Sequence, residues 1–452
     1  MNHFLRGLFV SFKSEGSFVQ NFSFVASGKL LVAISAFVFV PILARLFPPE
    51  AYGHFSLYNS IVTIATLIAL MGYPSAYVLI TDDEDFYYLM AFQAMTILCV
   101  FFLSLIILLF ALVSEIIVSP SFSVLIILGF LVNGLMVILS NWNVRSGLFK
   151  LSSQLEGFGG IAIRVINAMV GWIGNGYSFG LIIGELTGRS GANIINLFRL
   201  FRSNTFNLNM AFNWPRVREV LIEWKNYPKF ILPNSLLGQF SGHLPVYLLA
   251  FQFNKELLGY YGMAFTVFSL PIQLLSNAVT PVFLRKTKEL YDQSFEALNS
   301  FIKRFLRIIN LLLIFPFTVL IVFSEEIIVL FLGEQWFETG FIVSLMAFPI
   351  FIELTLTPLT SVLQVLRKEN KLLALNLMNF ILMTSTAACV VLMKLEFNET
   401  IFLLVGVRLV IDLIKTYLVY NEVRISVLRY AILYLSIVAL LSYGLNYVKL
   451  FI

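Results

Sequence analysis

Eight ionisable side chains lie deep inside long apolar runs: Lys29, Arg164, Glu185, Arg189, Glu353, Arg408, Asp412 and Lys415. A charge at the centre of a bilayer costs roughly 2.5–3.5 kcal/mol even on a lenient insertion scale, whereas a Leu or Phe returns only about 0.3–0.6 kcal/mol. Such groups therefore have to face a protein interior or a watery cavity. Glu185 and Arg189 sit one helical turn apart, as do Arg408, Asp412 and Lys415. Each set either neutralises itself on its own helix or presents itself to a ligand. Lys29 and Arg164 have no acidic neighbour on their own helices. They are candidates for holding an anion, with pairing to Glu353 or Glu185 across the bundle as the structural alternative. Guanidinium and ammonium donors match phosphate oxygens. The cationic substrate-binding candidates are thus Lys29, Arg164, Arg189 and Arg408. Glu353, Asp412 and Glu185 are the carboxylates suited to carrying a coupling proton or sodium ion, again with a purely structural pairing as the alternative.

Neutral polar residues follow helical spacing around these charges. Arg164, Asn167, Gly171 and Asn175 share one helix face. Gly180, Gly184 and Gly188 form a small-residue ridge for close packing. Glu353, Thr357, Ser361 and Gln364 form another polar row. Asn234, Gln239, Ser241 and His243 accompany Gly and Pro residues that loosen a helix, and Asn234, Gln239 and His243 join the substrate-binding candidates. His243 is either a proton or sugar partner or a hydrogen-bonded core histidine. The three histidines are scattered, and Cys99 and Cys389 read as core-filling thiols, so neither metal ligands nor a disulfide are expected. No nucleotide-binding glycine loop and no catalytic set is visible. The expectation is no cofactor and no enzymatic chemistry.

The elements that must position these groups are membrane helices. Of the 452 residues, 59% are apolar and 12% charged, where soluble domains carry about a quarter charged. Apolar stretches of roughly 20 residues recur, each long enough to span a bilayer core. They are continuous rather than alternating, which means helices and not barrel strands. Hydropathy places them at Asn21–Leu46, Ala51–Ile80, Phe86–Val113, Ser121–Ser146, Leu155–Asn175, Phe179–Phe201, Pro228–Phe253, Leu258–Leu284, Phe301–Phe323, Phe341–Leu366, Lys371–Lys394, Glu399–Tyr420 and Tyr430–Tyr447. Met1–Glu15 is too long and mixed for a signal-peptide start, so the first helix reads as a retained span. A sixteen-residue acidic loop, Ser324–Thr339, is expected between the ninth and tenth helices. With the N-terminus in the cytoplasm, about 21 basic residues fall on the inner side and about four on the outer, an asymmetry that sets the orientation. The basic balance then needs no nucleic acid.

Residues 202–227 read as a cytoplasmic linker between an N-terminal six-helix lobe, 1–201, and a C-terminal one, 228–420, with an extra helix in 421–452. An internal repeat supports this division. Aligning Glu50 with Glu256 brings Gly53 onto Gly259 and Phe55 onto Tyr261, at an offset of 206 residues. Both sites join the first two helices of a six-helix block. Parallel repeats of this kind carry a substrate path between them.

The segments RLFPPEAYGHFSLYNSI, MGYPSAYVLITDDED and SVLQVLRKENK resemble the Wzx-type oligosaccharide flippases of the MOP exporter superfamily. The resemblance implies an all-α integral membrane fold, with two pseudo-symmetric, MATE-like six-helix lobes around a central cavity. It implies alternating access that moves undecaprenyl-pyrophosphate-linked repeat units outward across the bacterial inner membrane for O-antigen or related glycans. Membrane lipids, a polysaccharide polymerase and a chain-length regulator are the implied partners. Lys29 on the first helix, and Asn234, Gln239 and His243 on the seventh, would border the path. Arg45, Glu50, Tyr52 and Gly53 match the signature as a hinge or turn, with Gly53 serving a tight turn and Glu50 the positive end of a helix. Two other classes compete. A membrane glycosyltransferase or polymerase needs a larger outer loop than these helices leave. A multidrug exporter favours a carboxylate-dominated pocket, against Lys29 and Arg164.

Overall fold

The computed structural model describes residues 18–77, 79–114, 119–202 and 208–426. The expected helix Tyr430–Tyr447 and the stretch Met1–Glu15 lie outside the described residues. Among the described residues the chain is all-helical, without strands. The helices are α1 Phe18–Leu46, α2 Pro49–Leu70, α3 Asp83–Val113, α4 Pro120–Arg145, α5 Phe149–Ile173, α6 Gly180–Arg202, α7 Trp214–Glu223, α8 Leu232–Gln252, α9 Lys255–Leu274, α10 Thr280–Gln293, α11 Phe295–Leu332, α12 Phe337–Thr360, α13 Val362–Val365, α14 Glu369–Met393 and α15 Phe397–Glu422.

Local chemistry accounts for where several begin. Asp82 caps α3 by accepting from the backbone N–H of Glu84 at 2.7 Å, and Asp83, Glu84 and Asp85 fill its positive first turn. Ser294 caps α11 and Asn254 caps α9 in the same way. Glu396 and Glu399 form a reciprocal capping box on α15.

Seven described segments are long and apolar enough to cross a bilayer: Gly28–Leu46, Pro49–Leu70, Asp83–Leu112, Pro120–Arg145, Phe295–Leu332, Glu334–Val365 and Asn370–Met393. The chain is a multi-pass membrane protein. Helices α5, α6, α8, α9 and α15 run 25, 23, 21, 20 and 26 residues. They are long enough to span, and all but α9 carry polar or charged candidates that lower their hydropathy.

Two expected boundaries change. The acidic loop Ser324–Thr339 is mostly helix: α11 continues to Leu332 for 38 residues, bent at Phe323, where φ is −114° and ψ 21°. Ile328 and Leu332 continue its buried face past the acidic pair Glu325 and Glu326, and burial of that face outweighs the local charge. The eighth expected helix, Leu258–Leu284, is divided by a π-helical turn at Leu275–Val279 into α9 and α10.

The described chain forms two compact units. One takes residues up to Phe39 with His54–Gln239, and the other Val40–Gly53 with everything from Phe240 onward. In the first, Tyr77, Phe86, Leu89, Ile138 and Trp142 form a core between α3 and α4. Gln93 joins it to α2, accepting from the Tyr77 hydroxyl and donating to the Leu70 carbonyl at 2.8 Å. In the second, α12 is the hub: within Glu334–Val365 an 18-residue window is 72% buried, and α12 packs on α9, α11 and α15.

The second unit also explains the 206-residue repeat. A Cβ on Gly53 would stand 1.9 Å from the Lys255 carbonyl oxygen, and one on Gly259 would stand 1.8 Å from that of Pro49. Pro49 and Lys255 are themselves repeat-equivalent, so the starts of α2 and α9 cross reciprocally, each glycine receiving the other helix's backbone. Gly53 has no positive φ, which corrects its expected role: it permits close helix approach rather than a tight turn. Trp336, fully buried, seals this corner. Its indole N–H donates to the Ala44 carbonyl at 2.8 Å, and Tyr52 meets its ring edge-on at 5.0 Å. Arg45 donates to the Leu330 carbonyl at 3.1 Å.

Gly53→Ala and Gly259→Ala are each expected to destabilise the protein by about 1–3 kcal/mol or more, as overpacking against rigid backbone does. The double variant should lose less than the sum, because both substitutions open the same crossing. Thermal unfolding followed by size-exclusion fluorescence in detergent reads both effects.

Candidate functional site

In the first unit α1 crosses α5 where both are small. A Cβ on Gly28 would lie 2.6 Å from the Ser153 carbonyl oxygen, and one on Gly157 3.0 Å from Leu31. That approach brings Lys29 within electrostatic reach of Glu156. Helix α5 meets α6 just as closely. The glycine ridge read from the sequence receives α5 side chains, Gly184 facing Asn167 and Gly188 facing Ile163. Arg164, half-buried on α5, donates to its own Gly160 carbonyl at 2.7 Å and lies within reach of Glu185 on α6. Glu185 pairs with Arg189, which also donates to the Asn133 side-chain oxygen at 2.6 Å. Asn133 in turn donates to the Thr66 hydroxyl at 3.1 Å. Tyr58, 3% exposed, feels both Glu185 and Arg189.

The mid-span groups of this cluster are three cations, Lys29, Arg164 and Arg189, against two carboxylates, Glu156 and Glu185. One positive charge is left over. Across the helices of this unit, Arg164 lies within electrostatic reach of Glu185 and Lys29 within that of Glu156. Glu156 is absent from the sequence reading because hydropathy starts that helix at Leu155. The helix starts at Phe149, so Glu156 stands two turns inside it.

The second unit holds a balanced set. Arg408 on α15 contacts Glu353 on α12 at 2.7 Å and Asp412, one turn along its own helix, at 3.1 Å. Lys415 approaches Asp412 at 3.7 Å, and the Asp412 side chain is 1% exposed. Tyr261 on α9, the repeat partner of Phe55, lies within reach of Arg408 and Glu353. Two cations and two carboxylates cancel. Arg408 is therefore occupied by its own carboxylates, and Glu353 and Asp412 share one guanidinium.

Asn234, Gln239 and His243 are strung along α8, Asn234 and His243 half-buried and Gln239 exposed, beside open space where Cβ atoms on Gly238 and Gly242 would stand. The expected polar row on α12 is not presented as a row. Thr357 donates to the Glu353 carbonyl and Ser361 to that of Pro358, and Gln364 falls beyond the end of α12. Asn167 and Gly171 are buried as their shared face predicts, but Asn175 lies past the end of α5 with φ 47°. Cys99 is exposed on α3 rather than core-filling, and both cysteines are free. Among the described residues no group of His, Cys, Asp and Glu is arranged to hold a metal.

These features define a class: a helical multi-pass membrane protein with charges held inside its spans, built on the fold of the MOP-superfamily transporters. The chain resembles the lipid II flippase MurJ in an inward closed conformation, with TM-score 0.64, 13% identity and 91% of each chain covered. It also resembles an inward-facing multidrug resistance MATE family transporter of the MOP superfamily, with TM-score 0.61, 13% identity, 88% of this chain and 98% of that one. A Vibrio cholerae MATE transporter, VcmN, aligns at TM-score 0.55 and 10% identity over 89% of this chain and 95% of that one. The chain belongs to the polysaccharide biosynthesis protein family, whose family model matches residues 42–341. No curated protein matches it.

At the C-terminal end of α15, Glu422 accepts from both Lys368 and Lys371 with its side chain 7% exposed. The Lys368 hydrogen bond, then that of Lys371, holds its carboxyl below the ordinary glutamate range. A depressed folded-state pKa adds stability above the unfolded value, about 4.3, and that stability is lost as pH falls through the folded value. Glu422→Gln should therefore lower the melting temperature at neutral pH and flatten its decline below about pH 4.5, measured by thermal scans from pH 7 to pH 3. Asp412→Leu leaves two buried cations facing one carboxylate and should cost about 3–5 kcal/mol, read by the same melting assay at neutral pH.

Proposed function

We propose that this protein is a flippase. It moves an undecaprenyl-pyrophosphate-linked oligosaccharide from the cytoplasmic to the periplasmic leaflet of the bacterial inner membrane, with its N-terminus in the cytoplasm and no covalent chemistry. Membership of the polysaccharide biosynthesis protein family supports the substrate class. The observation that carries the reading is the surplus cation among Lys29, Arg164, Arg189, Glu156 and Glu185 in the first unit. A pyrophosphate head group brings the anionic charge that such a set lacks, and the polyprenyl tail stays in lipid. MurJ, the flippase of lipid II, has the same fold. The balanced Glu353–Arg408–Asp412–Lys415 set offers shared carboxylates for a coupling proton or sodium ion. Polymerase and chain-length regulator act on the delivered unit, and the candidates Asn234, Gln239 and His243 contact the sugar.

Deleting the gene should abolish surface glycan and leave complete lipid-linked repeat units facing the cytoplasm. Single units that reach the outer face and stay unjoined would instead make the protein a polymerase. Lys29→Ala with Arg164→Ala should lose glycan export at least about a hundredfold, the scale of two charge-assisted contacts, at unchanged membrane abundance. Full export by that variant would overturn the anion assignment, and export of cationic drugs would favour the multidrug reading.

A further inference from the structure

Residues 208–231, ahead of α8, are folded, and their exposed face carries large apolar and basic side chains. Helix α7 follows a short turn, Leu208–Phe212, and packs on α3 in the first unit through Val217 and Val220, each 1% exposed. Its depth is set by ion pairs. Arg216 holds Asp85 at 2.8 Å, in the first turn of α3, and Arg145, the last residue of α4, holds Asp83 at 2.7 Å. Both acidic partners sit where an apolar span begins and Arg145 where another ends, so α7 lies at the bilayer boundary. On the face turned away from α3, Trp214, Arg218, Ile222 and Lys225 recur at helical spacing. Trp214 is 57% exposed, Ile222 51%, and the flanking Phe212 and Phe230 71% and 59%. Arg218, Lys225 and Lys229 are exposed among them, with the Lys229 ammonium 5.1 Å from the Phe230 ring centre. Glu219 and Glu223 lie on the other edge of the helix.

We propose that this face is a docking surface for the anionic lipid leaflet that borders it. Phe212, Trp214, Ile222 and Phe230 enter the acyl boundary, and Arg218, Lys225 and Lys229 bind headgroup phosphates. Aromatic and aliphatic side chains on one helix face, flanked by Arg and Lys, are the composition of a helix lying in a membrane interface. The basic side chains extend their apolar stems along lipid and keep their charged ends at the phosphates. A water-facing linker at this depth would expose large aromatic rings without compensation. The docking rests on the chain being a multi-pass membrane protein and is independent of what it carries.

The test uses the full chain in lipid nanodiscs, with Cys99→Ser and Cys389→Ser, and a spin label at Ile222→Cys or, as a control on the acidic edge, at Glu223→Cys. Accessibility to oxygen and to a water-soluble nickel relaxer is measured in phosphatidylcholine alone and with phosphatidylglycerol added. The label at 222 should be shielded from the nickel reagent relative to that at 223. Shielding should rise by about fivefold with phosphatidylglycerol, the scale of attraction of one cation near an anionic surface, and Arg218→Gln with Lys225→Gln and Lys229→Gln should remove the rise. Equal nickel accessibility at 222 and 223 in every lipid would overturn the docking and assign the face to an aqueous protein partner. Shielding that ignores lipid charge and the triple variant would overturn headgroup binding.

Discussion

A guanidinium or carboxylate surrounded by hydrocarbon must find its counter-charge inside the protein, and in this chain that requirement decides which helices touch. Arg408 ties α15 to α12 through Glu353, and Glu185 of α6 lies within electrostatic reach of Arg164 of α5. Removing one partner of such a set is far costlier than the net worth of the pair, because the other charge stays buried. Of the helices that carry these groups, α5, α6 and α15 are the less apolar ones. Their place in the membrane depends on being packed by neighbours rather than on their own hydropathy.

Glycine sets how near those neighbours come. Charge pairing across helices needs short axis-to-axis distances, and Gly28, Gly157, Gly184 and Gly188 supply them around Lys29, Glu156, Arg164 and Glu185. Without a hydrophobic force between helices in lipid, small residues and backbone contact are the main means of association. The reciprocal crossing of Gly53 and Gly259 uses the same principle at the repeat positions. Trp336 and Arg45 spend their donors on backbone carbonyls there, so the corner is both close-packed and hydrogen-bonded.

The two charged clusters differ in kind. The set in the second unit is complete in itself, with Asp412 fully buried and both carboxylates sharing Arg408. The set in the first unit carries one cation more than its carboxylates neutralise. The first therefore has a net positive charge and the second none.

The sequence by itself determined the helices, the apolar spans, the 206-residue repeat and which helices carry charge. Apart from the repeat, which is a likeness of pattern between distant segments, each depends on residues within a turn or a span of one another: Asp82 capping α3, the Gly180–Gly184–Gly188 ridge, and the Arg408, Asp412 and Lys415 spacing. The continuation of α11 past Glu325 escaped, because the face that buries Ile328 and Leu332 belongs to other helices. Only the tertiary structure decided the partners. Glu156 meets Lys29, Asn133 and Thr66 extend from Arg189, and Tyr261 joins Arg408, on helices remote in the chain. Gly53 looked like a turn residue until the backbone of α9 was found against it. A counter-charge or a missing Cβ can be satisfied from any helix, so local pattern names the need and packing alone names what meets it.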